Sequence, residues 1–431
     1  MNNGVKTNKT FHGNTAPLHK LCISITDCHH STPKWSESGK IVVRNFNIKE
    51  GKLDLSDLSY TNEKTYQERI SRAEPEAGDL IITREAPMGE ICVIPEGIEC
   101  CLGQRMVLIK PDPKKIESKY LLYAMLAEFV QKQINQSNKT GSIVSNLRIP
   151  LLKDIEIPLI DGAEQIAAVL STLDAKIDCN NRINSELEAM AKTLYDYWFV
   201  QFDFPFDFAQ GKTDAKGKPY KSSGGKMIYN PTLKRGIPAG WRDSNILAFA
   251  DLLGGGTPTK KKPEYWNGDI PFFTPTDADR TIFKFATEDY ITEEGLKKSS
   301  TKLFGKNTVF ITARGSVGKL VLAGVDMAMN QSCYALHAKP GISHTYLFFL
   351  AKELIHHLEV KSSGSVFNSI VSNDIEFTNL AIPDSAVVEK FAGIVEPAFE
   401  RIANNTKENR HLTHLRDWLL PMLMNGQVTV A

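Results

Sequence analysis

The chain has 431 residues, of which 42% are hydrophobic and 23% are charged, and its formal net charge is +1 at pH 7. This length is too great for one ordinary domain and suits two or three, and the composition is typical of globular proteins. The near-zero charge excludes a surface that is basic overall, so a nucleic-acid binder would need local basic patches or partners that supply further phosphate contacts.

The N-terminal stretch MNNGVKTNKTFHGNTAPLHK has no apolar core, so we expect no secretory signal. No apolar run approaches the ~18–20 residues that a membrane span requires. The seven cysteines are scattered without CxxC spacing, which is typical of a reducing compartment. These features predict a cytoplasmic location.

Short β-branched runs punctuated by Gly and Pro predict a globular domain of strands and turns over residues 1–160. The runs include LIIT (80–83), ICVI (91–94) and MVLI (106–109). A helical segment, SKYLLYAMLAEFVQKQI, follows these strands, and the Pro-bounded strand IEIPLI closes the domain.

A long helix is predicted over residues 161–201, because apolar residues recur there at alternating intervals of four and three. The apolar positions are Ile166, Leu170, Leu173, Ile177, Leu187, Ala191, Leu194 and Trp198. The same spacing places Asn180 and Asn184 on the apolar seam. Residues 202–241 are rich in Gly, Lys and Ser, and predict a linker that begins with aromatic residues.

The second half of the chain repeats the plan of the first. DLIITREAPMGEICVI aligns with TVFITARGSVGKLVLA, and Asn405 and Asn409 follow Asn180 and Asn184 by 225 residues (405 − 180 = 225). The repeat predicts a globular domain over 242–383 and a second long helix over 384–426. We therefore predict an α+β fold: two similar globular α/β domains joined by two long antiparallel helices in a coiled coil, with a pseudo-twofold internal repeat.

The asparagines have a predicted role in this coiled coil. In an antiparallel pair, Asn180 faces Asn409 and Asn184 faces Asn405. Buried amides lower stability but satisfy each other in only one register, so we expect them to fix the register and direction of the helices. The alternative is that these asparagines occupy the wet, partly exposed middle of a long helix pair.

The sequence contains no constellation that predicts catalysis. GGGTPTKKK lacks the spacing of a P-loop, and NPTL lacks the second Pro and the aromatic residue of a methyltransferase motif. The histidine pairs have no Cys or carboxylate at metal-ligand spacing. We therefore expect no catalytic residue, no metal site and no cofactor in this chain.

Polar loop residues recur at matched places in both copies and are the candidates for DNA contact. Arg, Lys, Asn and Gln side chains match the hydrogen-bonding edges of guanine and adenine in the major groove. The candidates in the first copy are Lys34, Arg44, Arg84, Gln104, Arg105, Lys139, Ser142, Ser145 and Asn146. Those in the second copy are Thr257, Lys260, Lys261, Lys262, Arg314, Lys319, Asn330 and Gln331. A solvated surface is the alternative for any one of them.

The whole chain resembles the specificity (S) subunits of type I restriction–modification systems. The resemblance rests on the half-chain repeat, on GDLIITREAPMGEICVI and TVFITARGSVGKLVL, on the helix with EQIAAVLSTLDAKIDCNNRINSELEAM, and on GIPAGW before the second domain. It implies two target recognition domains, each reading one half of a bipartite asymmetric site in double-stranded DNA. The helices would be the spacer that sets the gap between the half-sites.

The resemblance also implies partners. Two methyltransferase (M) subunits would dock on the helices and methylate adenine, and restriction and translocase (R) subunits would join for restriction. S-adenosylmethionine, ATP and Mg²⁺ would be bound by those partners. Three alternatives stay open: an enzyme with fused DNA readers, a protein scaffold that never touches DNA, and an S-like subunit of a methylation-based defence system without an R partner.

Overall fold

The computed structural model describes residues 11, 13–136, 146–205, 217–361 and 369–430. Contacts divide the chain into two compact units, of which the first comprises residues 1–177 and 411–431 and the second comprises residues 178–410. Both boundaries fall inside long helices. Each unit therefore contains one globular domain and parts of both long helices.

The first unit is built on two four-stranded sheets. Its described strands are β1 (Thr15–Pro17), β2 (Cys22–Asp27), β3 (Trp35–Ser36), β4 (Lys40–Val43), β5 (Ile48–Lys49), β6 (Lys52–Leu53), β7 (Ser59–Thr61), β8 (Leu80–Thr83), β9 (Ile91–Val93), β10 (Cys100–Leu102), β11 (Met106–Pro111) and β12 (Glu156–Pro158). The sheets have the orders β10-β4-β7-β3 and β2-β11-β8-β9, and β1-β12 and β5-β6 form small pairs. Strands β4 and β10 are parallel, whereas the other described pairs of this unit are antiparallel.

The sheet β2-β11-β8-β9 is buried on both faces, which explains why LIIT and MVLI are continuous apolar runs rather than alternating ones. Leu80 and Ile82 belong to a core with the helices of the unit, whereas Ile81 and Leu108 belong to a core with the other sheet. The described helices of this globular domain are Leu18–Leu21, Glu63–Ile70, Ser118–Leu126, Glu128–Gln136 and Ile149–Lys153.

Cysteines fill core positions of the first globular domain. Cys22, Cys28, Cys92, Cys100 and Cys101 are buried and carry free thiols. Burial raises the pKa of Cys92 and of Cys100 to about 12, so both thiols stay protonated at neutral pH. They therefore pack as small apolar groups.

The second unit repeats this strand plan. Its described strands are β13 (Met227–Asn230), β14 (Arg235–Pro238), β15 (Arg242–Ser244), β16 (Ala250–Gly254), β17 (Trp266–Phe273), β18 (Phe283–Lys284), β19 (Asp289–Ile291), β20 (Val309–Thr312), β21 (Leu320–Ala323), β22 (Ala328–Met329), β23 (Cys333–Ala338) and β24 (Leu380–Ile382). The sheets have the orders β16-β23-β20-β21-β18 and β19-β17-β22, with the pairs β13-β14 and β15-β24. The described helices are Glu293–Lys297, His344–Lys361 and Ser372–Glu376. Because β23 pairs with β20 as β11 pairs with β8, and β17 is parallel to β22 as β4 is to β10, the predicted internal repeat is confirmed.

The predicted linker is folded where the structure describes it. Phe202, Phe204, Tyr220 and Trp241 are buried in the core of the second unit. Phe204 stacks on Tyr220 with ring centroids 4.7 Å apart, and β13 and β14 form a hairpin. The Gly- and Lys-rich composition of this segment predicted neither the burial of Tyr220 nor the hairpin.

The two long helices span Ala163–Tyr195 and Ser385–Met424, and their segments in the second unit pack antiparallel. Asn180 Nδ2 donates to Asn409 Oδ1 at 2.9 Å, and Asn405 Nδ2 donates to Asn184 Oδ1 at 2.9 Å. Both predicted pairings are therefore present. Asn180 and Asn405 are 0% and 3% exposed, whereas Asn184 and Asn409 are partly exposed, so the alternative of a wet helix middle stays open for these two. Their role in fixing the register stays a prediction.

The long helices also contact the globular domain within the first unit. Asp174 Oδ1 accepts a hydrogen bond from Arg416 Nη1 at 2.9 Å, and Asp174 Oδ2 accepts one from the Tyr123 hydroxyl at 2.6 Å. At the corresponding positions of the repeat, the rings of Phe349 and Phe399 pack with centroids 5.6 Å apart. The two copies thus keep one packing plan with polar contacts in one and aromatic contacts in the other.

Glu353 is a buried carboxyl in the second unit, and we expect it to make the stability of the protein depend on pH. The Glu353 side chain is 12% exposed and accepts a hydrogen bond from the Tyr195 hydroxyl at 2.7 Å. Burial raises the pKa of Glu353, and the Tyr195 hydrogen bond and the charge of Arg235 oppose this without cancelling it. A raised folded-state pKa contributes stability below the unfolded pKa of about 4.3, and this contribution is lost as pH rises through the folded pKa.

We expect Glu353→Gln to raise the midpoint of thermal unfolding at pH 8 and to change it little at pH 4, because glutamine carries no charge to desolvate and can still accept from Tyr195. Thermal unfolding of both proteins at pH 4, 6 and 8 measures this difference. An equal decline of both midpoints from pH 4 to pH 8 would contradict the expectation.

Candidate nucleic-acid interface

Two parallel strands bring polar residues together at one edge of the first unit. Because β4 and β10 are parallel, the residues that follow them, Arg44 and Gln104, lie at the same edge of the sheet. The Gly103 amide donates to the Val43 carbonyl at 2.8 Å and joins the two strand ends. The side chain of Asn47 accepts from the Arg44 amide at 2.9 Å, which holds the short turn after β4 in place.

Two exposed aromatic rings flank the Arg44 guanidinium. Its central carbon lies 5.2 Å from the centroid of the Trp35 ring and 4.6 Å from that of the Phe46 ring. Trp35 and Phe46 are 48% and 46% exposed. The guanidinium thus lies within cation–π distance of two rings at an exposed edge of the domain.

The other candidates of this unit differ in accessibility. Lys34 is exposed, Gln104 donates to the His30 carbonyl, and Arg105 is exposed with its Nε 3.2 Å from Glu85 Oε2. Arg105 has a φ of +64°, a left-handed conformation that is rare for a residue with a side chain. Lys139, Ser142 and Ser145 lie outside the described residues.

Arg84 and Asn146 are occupied within the unit. Arg84 Nη1 lies 3.0 Å from both carboxylate oxygens of Asp27, its Nε donates to the Leu147 carbonyl at 3.0 Å, and its Nη2 donates to Asn146 Oδ1 at 3.3 Å. Asn146 Nδ2 donates in turn to Glu85 Oε1 at 2.6 Å. Each of the three guanidinium nitrogens of Arg84, and the amide nitrogen of Asn146, thus has an acceptor within the unit, and the predicted base contacts of both residues stay a prediction.

The second unit has the corresponding edge at the ends of β17 and β22. These strands are parallel, and the Asn330 amide donates to the Phe273 carbonyl at 3.0 Å. The Thr274 amide donates to Asp277 Oδ2 at 2.8 Å, as the Arg44 amide does to Asn47. Thr274 therefore occupies in the second unit the place that Arg44 occupies in the first.

The lysine and amide candidates of the second unit have partners of several kinds. Lys260 Nζ lies 5.5 Å from the centroid of the Trp266 ring, and Lys262 Nζ donates to the Tyr265 hydroxyl at 3.2 Å. The Thr257 hydroxyl donates to Gln331 Oε1. The remaining candidates also lie at the surface: Lys261 and Arg314 are exposed, and Lys319 Nζ donates to the Ala278 carbonyl at 2.6 Å.

Sequence reasoning missed the aromatic and hydroxyl members of these edges. Trp35, Phe46, Trp266 and Thr274 are not among the candidates that the sequence predicts. The available signal was the position of Trp35 and Phe46 in the sequence next to the candidates Lys34 and Arg44.

The described residues contain neither a metal-binding group nor a membrane-spanning helix. No group of three or more His, Cys, Asp or Glu side chains there could hold a metal ion. None of the helices in the described ranges is long and apolar enough to cross a membrane.

Comparison with known proteins gives consistent matches. The family model described as type I restriction modification DNA specificity domain matches residues 31–189 and 238–414. The type I restriction enzyme MjaIX specificity subunit of Methanocaldococcus jannaschii is 25% identical over 374 residues, which cover 85% of this chain and 81% of that protein. The EcoR124I/EcoR124II specificity subunit of Escherichia coli is 29% identical over 267 residues, which cover 59% of this chain and 58% of that protein.

A solved structure shares the fold. The S subunit of a type I restriction-modification system from M. genitalium matches with a TM-score of 0.55 at 15% sequence identity, covering 97% of this chain and 98% of that one. At this identity the likeness concerns the fold alone.

Proposed function

The chain belongs to the family of type I restriction modification DNA specificity domains, and on that premise we propose that it reads a bipartite, asymmetric site in double-stranded DNA through its two globular domains. Each domain contacts one half-site with the edge formed by its two parallel strands. Phosphate contacts position the domain, and contacts to base edges supply the specificity.

One observation carries this proposal. The two edges share their backbone frame, since Gly103 donates to Val43 in one unit as Asn330 donates to Phe273 in the other. Their side chains differ, with Arg44 at the first edge and Thr274 in the corresponding place. A shared frame with different side chains is what two readers of unlike half-sites require.

In this proposal the long helices are the spacer between the half-sites and the docking surface for two M subunits. A shift by one heptad would bury the amides of the asparagine layer against apolar residues, at roughly 1–3 kcal/mol for each unsatisfied amide. The Asn180–Asn409 and Asn184–Asn405 contacts support a single register. A single register would give the target site a gap of constant length.

The chemistry belongs to the partners. M subunits bind S-adenosylmethionine and methylate an adenine that is flipped out of the duplex, and R subunits use ATP and Mg²⁺ for restriction. This chain contributes recognition without a catalytic residue, and the complex acts in the cytoplasm. A net charge of +1 suits a reader whose partners supply further contacts to the DNA backbone.

Methylation mapping tests the proposal directly. We expect this chain, expressed with its cognate M subunit in a host free of DNA methylation, to produce one modified motif with two defined halves and an undefined gap. Long-read sequencing detects the modified adenines, and cells that express the M subunit alone serve as the control. An assembled complex that modifies no adenine would instead favour the protein scaffold.

A further inference from the structure

The three arginines predicted for the first interface differ in how many of their donors are already used. Arg84 donates from Nε, Nη1 and Nη2 within its own unit, whereas Arg105 uses only Nε among the described residues, and that nitrogen belongs to its Nε–Nη2 edge and pairs with Glu85. The side chain of Arg44 uses only Nη1, in a 3.4 Å contact with Ser59 Oγ. Its Nε and Nη2 have no partner among the described residues. These two nitrogens form one edge of the guanidinium, so Arg44 presents a free pair of parallel donors.

Three side chains lie next to this guanidinium before any ligand arrives. Its central carbon lies 5.2 and 4.6 Å from the ring centroids of Trp35 and Phe46, and its Nη1 lies 3.4 Å from Ser59 Oγ. A long arginine side chain normally loses rotamer freedom on binding, and this stacking removes part of that loss in advance. Two aromatic rings beside the guanidinium therefore favour recognition of a partner that needs its donors in one orientation.

Two kinds of DNA contact accept such a pair of donors. A phosphate can accept both but is also bound by the point charge of a lysine, whereas the O6 and N7 atoms of guanine require two donors in one plane. Arg44 supplies the second arrangement. The place of Arg44 in the other unit is taken by Thr274, whose hydroxyl donates to Asp277 Oδ2 at 2.8 Å and so offers no fork of donors.

The geometry points to Arg44 as the residue that reads a guanine in the half-site of the first unit, with Nε and Nη2 donating to O6 and N7. Thr274, the counterpart of Arg44 in the second unit, imposes no guanine on the half-site of that unit. This inference rests on the proposed function and adds to it one base and one residue.

The test uses the full chain in complex with its M subunit. Arg44→Lys keeps the charge and removes the fork, and Arg44→Met removes both while retaining an unbranched side chain. Lys119→Ala, at an exposed position on the helix Ser118–Leu126, is the matched control. We expect both Arg44 variants to relax one guanine position of one half-site, with a roughly 10- to 100-fold loss of discrimination there, and to leave the other half-site unchanged. The control keeps the native motif.

A second measurement alters the DNA instead of the protein and compares wild type with Arg44→Met. Replacing the recognised guanine by 7-deazaguanine removes N7, so we expect the wild-type complex to bind this oligonucleotide about tenfold or more weakly. The Arg44→Met complex is expected to bind both oligonucleotides equally. Equal thermal unfolding midpoints of variant and wild type exclude misfolding as the cause.

The possible results separate the inference from the function. A bipartite wild-type motif whose guanines all persist in both Arg44 variants overturns the inference and leaves the function standing. An unchanged motif with uniformly weaker binding in Arg44→Met and rescue in Arg44→Lys identifies a phosphate contact and also overturns it. Absence of any bipartite motif in the wild type overturns the proposed function, and the inference with it.

Discussion

Replacing Arg84 by methionine is expected to lower the free energy of unfolding of the first unit by about 2–4 kcal/mol, because it leaves the Asp27 carboxylate without its main partner. The Arg84 and Asp27 side chains are 14% and 20% exposed, so water replaces little of the lost interaction. His30 Nε2 remains 3.1 Å from Asp27 Oδ2, but His30 is largely exposed and is charged only when protonated. The loss also frees Asn146 and the Leu147 carbonyl from the side chain that anchors them.

Chemical denaturation followed by circular dichroism measures this loss. Arg105→Met is the matched control, since it removes an exposed ion pair that contributes at most about 1 kcal/mol. Adding Asp27→Asn to Arg84→Met is expected to recover part of the stability, because the unpaired charge disappears. We also expect the complex with Arg84→Met to modify the wild-type motif. A stable variant with an altered motif would identify Arg84 as a base reader.

Replacing Asn180, Asn184, Asn405 and Asn409 together by leucine is expected to raise the stability of the protein and to loosen the helix register. Asn180 is fully buried, and its Oδ1 atom has no hydrogen-bond partner. An unsatisfied buried amide oxygen costs roughly 1–3 kcal/mol, and leucine removes this cost while adding apolar contact. The same change removes the directional contacts that only one register satisfies.

Two measurements test this expectation, one of stability and one of register. The midpoint of thermal unfolding is expected to rise by several degrees, whereas methylation mapping is expected to reveal more than one gap length between the half-sites. Ser185→Leu, at an exposed position of the same helix, controls for added apolar surface. A quadruple variant with one unchanged gap and one conformation would show that the asparagines do not set the register.

The sequence predicted the overall fold because its strongest signals are periodic. The heptad spacing on the two long helices and their 225-residue offset are enough to pair Asn180 with Asn409, given one twofold relation. Composition was a poorer guide in the segment 202–241, where Gly and Lys suggested a linker. Phe204 and Tyr220 are buried there, since two aromatic rings can anchor a chain whose neighbouring residues are polar.

The sequence by itself determined the duplicated plan, the long helices and the asparagine pairing, because each follows from spacing along one chain and a symmetry relation. Only the tertiary structure decided which arginine of the first unit uses its donors within the unit. Arg44 and Arg84 are both candidates in the sequence, since both are arginines in predicted loops. Arg84 is occupied by Asp27, Asn146 and Leu147, which lie 57, 62 and 63 residues away and meet it only when the domain folds. Whether a side-chain donor already has an acceptor depends on which residues the fold places next to it, and spacing along the chain does not give those residues.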